Sequence, residues 1–235
     1  MAITVGFVSE KGGVGKTTAC YHIAYALRKF HEKHVMVVVT DYQRGGISCR
    51  FLPKMIEHFR GGKLPGMTLF SKFQQLYSGA DLTTEVDIQE TLEGVDLIPA
   101  DPRLAQVSVD KLPSSNNIRE NNHRLWEHLR LLQTVLAPHQ SDYDYILVDS
   151  HPELSDLLRT VVYACDFCVS PVKLDQQSTI GVPSAIQAIN EVNEDMEMIG
   201  AALGVAEGFT PTVFKGAMAM MCRVWGEELK LSEKR

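Results

Sequence analysis

The chain has 235 residues, of which 45% are hydrophobic and 22% charged. That is enough to bury a full core as a single domain over 1–235, and no stretch has a linker-like or low-complexity composition. The net charge of -6 excludes a globally basic nucleic-acid binder, so any contact with a polyanion has to come from a local patch. Five scattered cysteines (Cys20, Cys49, Cys165, Cys168, Cys222) point to reduced thiols in a cytoplasmic setting rather than to a disulfide framework.

Residues 1–8 carry no basic leader or cleavage site and read directly as a strand, with 5–8 as its β-type run. From Thr17 onward, Ile23, Ala24, Leu27 and Phe30 have the spacing of one helix face. Residues 35–39 are a β-branched run without alternation, as expected for a strand buried on both faces. Residues 95–98, 145–148 and 167–169 have the same character. Segment 44–82, with Gly45, Gly46, Gly61, Gly62, Gly66 and two prolines, reads as loops around short helices. Three helical patterns fall between or after the later strands. They are Leu125, Leu129, Leu132 and Leu136; Leu154, Leu157, Leu158 and Val161; and Val182, Ala185, Ile186, Ile189 and Val192. Such alternation predicts an α/β fold of three layers, a mainly parallel twisted sheet flanked by helices. Near the C-terminus Met218, Met221, Cys222, Trp225 and Leu229 suggest one more helix, packed on the core or on a second subunit. The longest apolar runs, 35–39 and 199–206, are too short to span a bilayer.

The chemistry is concentrated at strand ends. Lys11-Gly12-Gly13-Val14-Gly15-Lys16-Thr17-Thr18 stands between the first strand and the first helix, the context of a phosphate-binding loop. Glycines let successive N–H groups converge on a phosphate, and the helix N-terminus adds its positive end. Residues Gly12, Gly13, Val14, Gly15, Lys16, Thr17 and Thr18 therefore form the nucleotide-binding set. In it Lys16 supplies charge to the β- and γ-phosphates and the Thr17 hydroxyl is suited to Mg²⁺. Asp41 and Asp149 each follow a predicted parallel strand at its carboxyl end, where such a site needs acids. Residues 143–149 match a Walker B strand, which pairs Asp149 with Thr17 as the metal set. His151 reads as a structural loop histidine. Cys165-x-x-Cys168 has metal-ligand spacing but falls on a predicted buried strand with no second pair, so both read as small buried hydrophobes.

With its second lysine, Lys11, the loop K-G-G-x-G-K-T-T resembles the deviant Walker A loop of the ParA/MinD ATPases, closer to the ParA/Soj-type partition ATPases. Asp41 fits the second acid of that family's D-x-D-P-Q-G-N switch. Val39 replaces the first acid there, Tyr42 replaces the proline, and Arg44 displaces the glycine. Where the family often reads D-C-P-P, this chain has Asp149-Ser150-His151-Pro152. Similar stretches extend the resemblance over roughly residues 1–195.

The resemblance implies a P-loop NTPase fold and slow, partner-stimulated hydrolysis of ATP with Mg²⁺. It implies an ATP-sandwich homodimer with Lys11, Lys16 and Asp41 as the catalytic set. Lys11 reaches the partner's phosphates and Asp41 positions the attacking water. It further implies a ParB-like adaptor, and a cytoplasmic protein that becomes nucleoid-associated through non-specific DNA contacts when ATP is bound. Lys215, Arg223, Lys230, Lys234 and Arg235 form the expected local basic patch. Two alternatives stay open. One is a MinD-like role at a membrane surface through an amphipathic C-terminal helix. The other is a metabolic role coupling ATP to electron or metal transfer.

Overall fold

Hydrophobic runs without alternation become the central strands. In the computed structural model, which describes residues 1–43, 46–173, 176–205, 209–222, 224–225 and 228–229, β1 spans Ile3–Phe7 and β2 spans Val35–Val39. Helix α1 (Lys16–His31) connects them. Short helices α2 (Ile47–Phe51), α3 (Ile56–Arg60) and α4 (Leu69–Ser78) lead to β3 (Gln89–Glu90) and β4 (Asp96–Ile98). Then come α5 (Ile118–Leu136), β5 (Tyr145–Asp149), α6 (Asp156–Ala164), β6 (Phe167–Lys173), α7 (Gln176–Leu203) and β7 (Val213–Met220).

Seven strands form one sheet in the order β3-β4-β2-β5-β1-β6-β7, and only the β3–β4 pair is antiparallel. All five side chains of β2 are buried, as a strand covered by helices on both faces requires. β5 lies between β1 and β2, with Asp149 opposite Phe7 on one side and Val39 on the other. The ends of three parallel strands are thereby aligned at one edge.

Helix α1 meets the sheet through Ala19, Cys20 and Ala24, side chains small enough to let its backbone approach closely. Phe30, expected on that face, is instead 72% exposed in the last turn beside the charged Arg28 and Lys29. Its ring makes only an edge contact with Tyr25, at 6.4 Å. Leu129, Leu132 and Leu136 of α5 and Leu157, Leu158 and Val161 of α6 are buried as expected, while Leu154 precedes α6 and is exposed. Residues 46–82 are held by Phe51, Phe59, Leu69, Phe70 and Phe73, all buried. α4 starts at a reciprocal cap, with the Ser71 N–H donating to the Thr68 hydroxyl and the Thr68 N–H to that of Ser71.

Among the described residues the expected C-terminal helix is not formed. Met218 lies on β7, which pairs with β6 from Phe167↔Val213 to Lys173↔Met220. Phe214, Gly216, Met218 and Met220 are half-buried while Val213, Lys215, Ala217 and Ala219 are exposed. That period of two is the strand signature, and the four-residue spacing of Met218 and Cys222 obscures it. Met221 has φ 55 and ends the strand. Trp225 and Leu229 fall on two-residue antiparallel strands, β8 (Val224–Trp225) and β9 (Glu228–Leu229). Of the basic patch, Lys215 is exposed with its Nζ 4.4 Å from the centre of the Phe167 ring. Arg223, Lys230, Lys234 and Arg235 lie outside the described residues.

His128 of α5 is fully buried against Phe73 and Tyr77, and neither ring nitrogen has a partner among the described residues. Burial lowers its pKa from 6.5 to about 4, with Asp156 opposing the shift and Arg159 adding to it. The unfolded chain therefore takes up a proton that the folded one refuses, and stability falls as pH drops from 6.5 towards 4. The loss approaches about 3 kcal/mol by pH 4, from about 1.4 kcal/mol per pH unit. Urea unfolding midpoints at pH 7 and 4.5 should differ less for His128→Phe than for the native chain; equal differences would reject this assignment.

Candidate functional site

The loop after β1 turns sharply because Gly13 and Gly15 adopt left-handed backbone angles, φ 71 and 102. A side chain at Gly15 would also meet Met220 of β7, whose Cε lies 3.1 Å from the Cβ position. Around Gly12 and Gly13 the space is open, so the loop's outer rim can receive a ligand against bare backbone. Val14 is buried, while Thr17 and Thr18 are half-buried in the first turn of α1. The Lys16 side chain folds back over the loop, and its Nζ donates to the carbonyls of Ser9 and Lys11, both at 3.3 Å. Burial lowers the Lys16 pKa, while Asp149 and Asp41 pull it up. Lys11 is half-buried, and its backbone N–H donates to the Ser9 hydroxyl at 3.3 Å.

Asp149 closes β5 directly beside this loop. It is fully buried, and neither carboxylate oxygen has a hydrogen-bond partner among the described residues. Burial, followed by the Asp41 charge, raises its pKa to about 7. The nearby Thr17 hydroxyl, Lys16 and Arg50 pull the other way. A buried acid left this way carries a desolvation cost that a cation would relieve. With the Thr17 hydroxyl nearby, oxygen donors of this kind suit a hard divalent ion such as Mg²⁺.

Asp41, 9% exposed, follows β2. Its backbone N–H donates to the Asp149 carbonyl at 3.2 Å, and Thr40 donates to that carbonyl from both N–H and hydroxyl. The sheet ladder thus continues past β2 and fixes Asp41 beside Asp149. The next turn of β5 is pinned the same way, with the Ser150 hydroxyl donating to the Phe7 carbonyl at 2.6 Å.

The structure brings Lys11, Lys16, Thr17, Asp41 and Asp149 to one edge of the sheet. His151, read as a structural loop histidine, lies in the loop after β5 and is 3% exposed; its Nδ1 lies 3.1 Å from Asp41 Oδ1, and its ring stacks on Tyr42. The available signal was that Tyr42 and His151 both stand where the resembling motifs have proline. Cys165 and Cys168 are buried as expected. A Cβ on Gly6 of β1 would lie 3.0 Å from one sulfur and 3.1 Å from the other, so the pair fills the gap above that glycine.

A family model described as an AAA domain matches residues 2–199. A ParA family protein of Mycoplasma pneumoniae is 24% identical over 192 residues, 81% of this chain and 65% of that protein. The sporulation initiation inhibitor protein Soj of Bacillus subtilis is 26% identical over 218 residues, 89% of this chain and 75% of that one. The chain thus spans slightly less than two thirds of the first of these relatives. A crystal structure of cobyrinic acid a,c-diamide synthase from Mycobacterium smegmatis with bound ADP and magnesium is similar at TM-score 0.67 and 22% identity. It covers 93% of this chain and 74% of that one, a likeness of fold. With the loop, the strand-end acids and the parallel sheet in place, the chain belongs to the AAA domain family that matches it over residues 2–199, and its likeness is to P-loop proteins of the ParA/MinD type.

Proposed function

We propose that this chain is a ParA-like positioning ATPase: it binds Mg-ATP, closes a sandwich homodimer around it, holds DNA without sequence preference, and releases it on hydrolysis. The observation that carries the reading is the buried Asp149 carboxylate, without a hydrogen-bond partner of normal geometry among the described residues, beside an open glycine loop. Bound Mg²⁺ would neutralise charge on the β- and γ-phosphates, held by Thr17 and Asp149.

In this reading the backbone N–H groups of residues 12–18 cradle the phosphates, and Lys16 exchanges two long carbonyl contacts for phosphate oxygens. Lys11, on the loop's rim, reaches the phosphates bound to the second subunit. Asp41, fixed beside Asp149 by the extended ladder, orients the attacking water. A ParB-like adaptor accelerates hydrolysis, and the protein works in the cytoplasm and on the nucleoid. The membrane-surface alternative called for an amphipathic C-terminal helix, whereas Met218 lies on strand β7 and Trp225 and Leu229 lie on β8 and β9.

Three experiments test this reading. Lys16→Ala should abolish ATP binding in a titration with a fluorescent ATP analogue while the far-UV spectrum stays native; unchanged affinity would remove the phosphate-loop assignment. Asp41→Ala should still bind ATP and dimerise, yet hydrolyse it about 100-fold more slowly, whereas Lys11→Ala should fail to form the ATP dimer in size-exclusion chromatography. Normal turnover in the first variant or a tight dimer in the second would remove the corresponding role. Finally, Asp41→Ala with ATP should shift duplexes of unrelated sequence equally. For a dimer neutralising about six phosphates, affinity should fall about 10³-fold between about 50 and 200 mM salt. Binding to anionic liposomes in place of DNA would overturn the choice of matrix.

A further inference from the structure

Two positions that depart from the resembling motifs touch each other. Tyr42 follows Asp41, His151 follows Asp149 by two residues, and the motifs have proline at both places. Here the two rings stack with centroids 4.0 Å apart and an interplanar angle of 21°. Beyond the stack, the His151 ring turns Nδ1 to Asp41 Oδ1 at 3.1 Å and Nε2 towards Glu153 Oε2 at 3.7 Å. A carboxylate oxygen accepts, so Nδ1 is the donor. The Gln43 N–H donates to the same Oδ1, also at 3.1 Å. Asp41 is thus gripped on one oxygen from two directions, and Oδ2 receives no hydrogen bond from the described residues.

We infer that His151 is a positioning residue for Asp41: held flat by Tyr42, it fixes the plane of the carboxylate so that Oδ2 faces the nucleotide site. This rests on the reading of Asp41 as the residue that orients water. An aspartate has a short side chain whose terminal torsion is broad and nearly two-fold. A single hydrogen bond to Gln43 leaves that rotation open, and a second donor on a rigid ring closes it. Fixing a reacting group in one geometry is worth far more to rate than to ligand affinity. Packing alone would be served by any flat ring on Tyr42 and would not explain why a ring with only 3% exposure aims a nitrogen at the acid.

The test separates the donor from the ring. His151→Phe keeps a ring on Tyr42 and removes the donor. His151→Asn places an amide N–H near Nδ1, and His151→Gln places one near Nε2, away from Asp41. Steady-state hydrolysis of Mg-ATP and affinity for a fluorescent ATP analogue are measured on the full chain, with thermal unfolding as the folding control. His151→Phe and His151→Gln should lower kcat about 10- to 100-fold, with analogue affinity within about twofold of native, while His151→Asn should stay within about threefold of native kcat. Native turnover in His151→Phe overturns the proposal, as do equal losses in the Asn and Gln variants, which would make the ring's shape the cause. If His151→Phe does not fold, the Asn and Gln pair decides alone. A native chain that binds Mg-ATP and never hydrolyses it overturns the ATPase reading itself, and the role of His151 with it.

Discussion

The position of β5 governs the site. Because it is paired in register with β1 on one side and β2 on the other, its last residue, Asp149, stands between the glycine loop and Asp41. The Asp149 carbonyl collects hydrogen bonds from Thr40 and Asp41, while Ser150 ties the following turn to β1. Its side chain is left with none among the described residues. The backbone of this one residue therefore organises the neighbouring segments, while its carboxylate stays available. An unpaired carboxylate in a dry interior is strongly disfavoured, which is why burial raises its pKa to about 7.

Small side chains let the elements around the loop approach closely. Gly6 leaves room for the sulfurs of Cys165 and Cys168, and Ala19, Cys20 and Ala24 allow α1 to lie tight on the sheet. The loop between β1 and α1 is consequently held at both ends by rigid elements, with glycines only where the chain must turn. Met220 packs beneath Gly15 and connects the end of β7 to the loop, so the edge of the sheet supports the nucleotide site.

Two buried groups without partners, His128 and Asp149, differ in what surrounds them. His128 sits among aromatic rings of α4 and stays neutral because burial there disfavours its charged form. Asp149 faces Lys16 and the Thr17 hydroxyl across an open loop. The same orphaned state is a stability cost in the first case and a receptive site in the second; the difference lies in access and in neighbouring charge.

Sequence alone was sufficient wherever the determining interactions are local. The phosphate loop is one contiguous string whose glycines answer to backbone angles at their own positions, and the central strands are unbroken β-branched runs that only a doubly covered sheet accommodates. Asp41 and Asp149 were legible because a strand end is a local feature. The tertiary structure alone decided the rest. Phe30 followed the helical period but is exposed in the last turn of α1, and period alone does not say how far along a helix its buried face extends. Strand β7 has a two-residue period that was masked by methionines at helical spacing, and it becomes a strand because β6 offers an open edge along Phe167–Lys173. The contact of His151 with Asp41 spans 110 residues. It exists only because β2 and β5 are paired, and pairing between distant strands depends on register and packing that no local segment encodes.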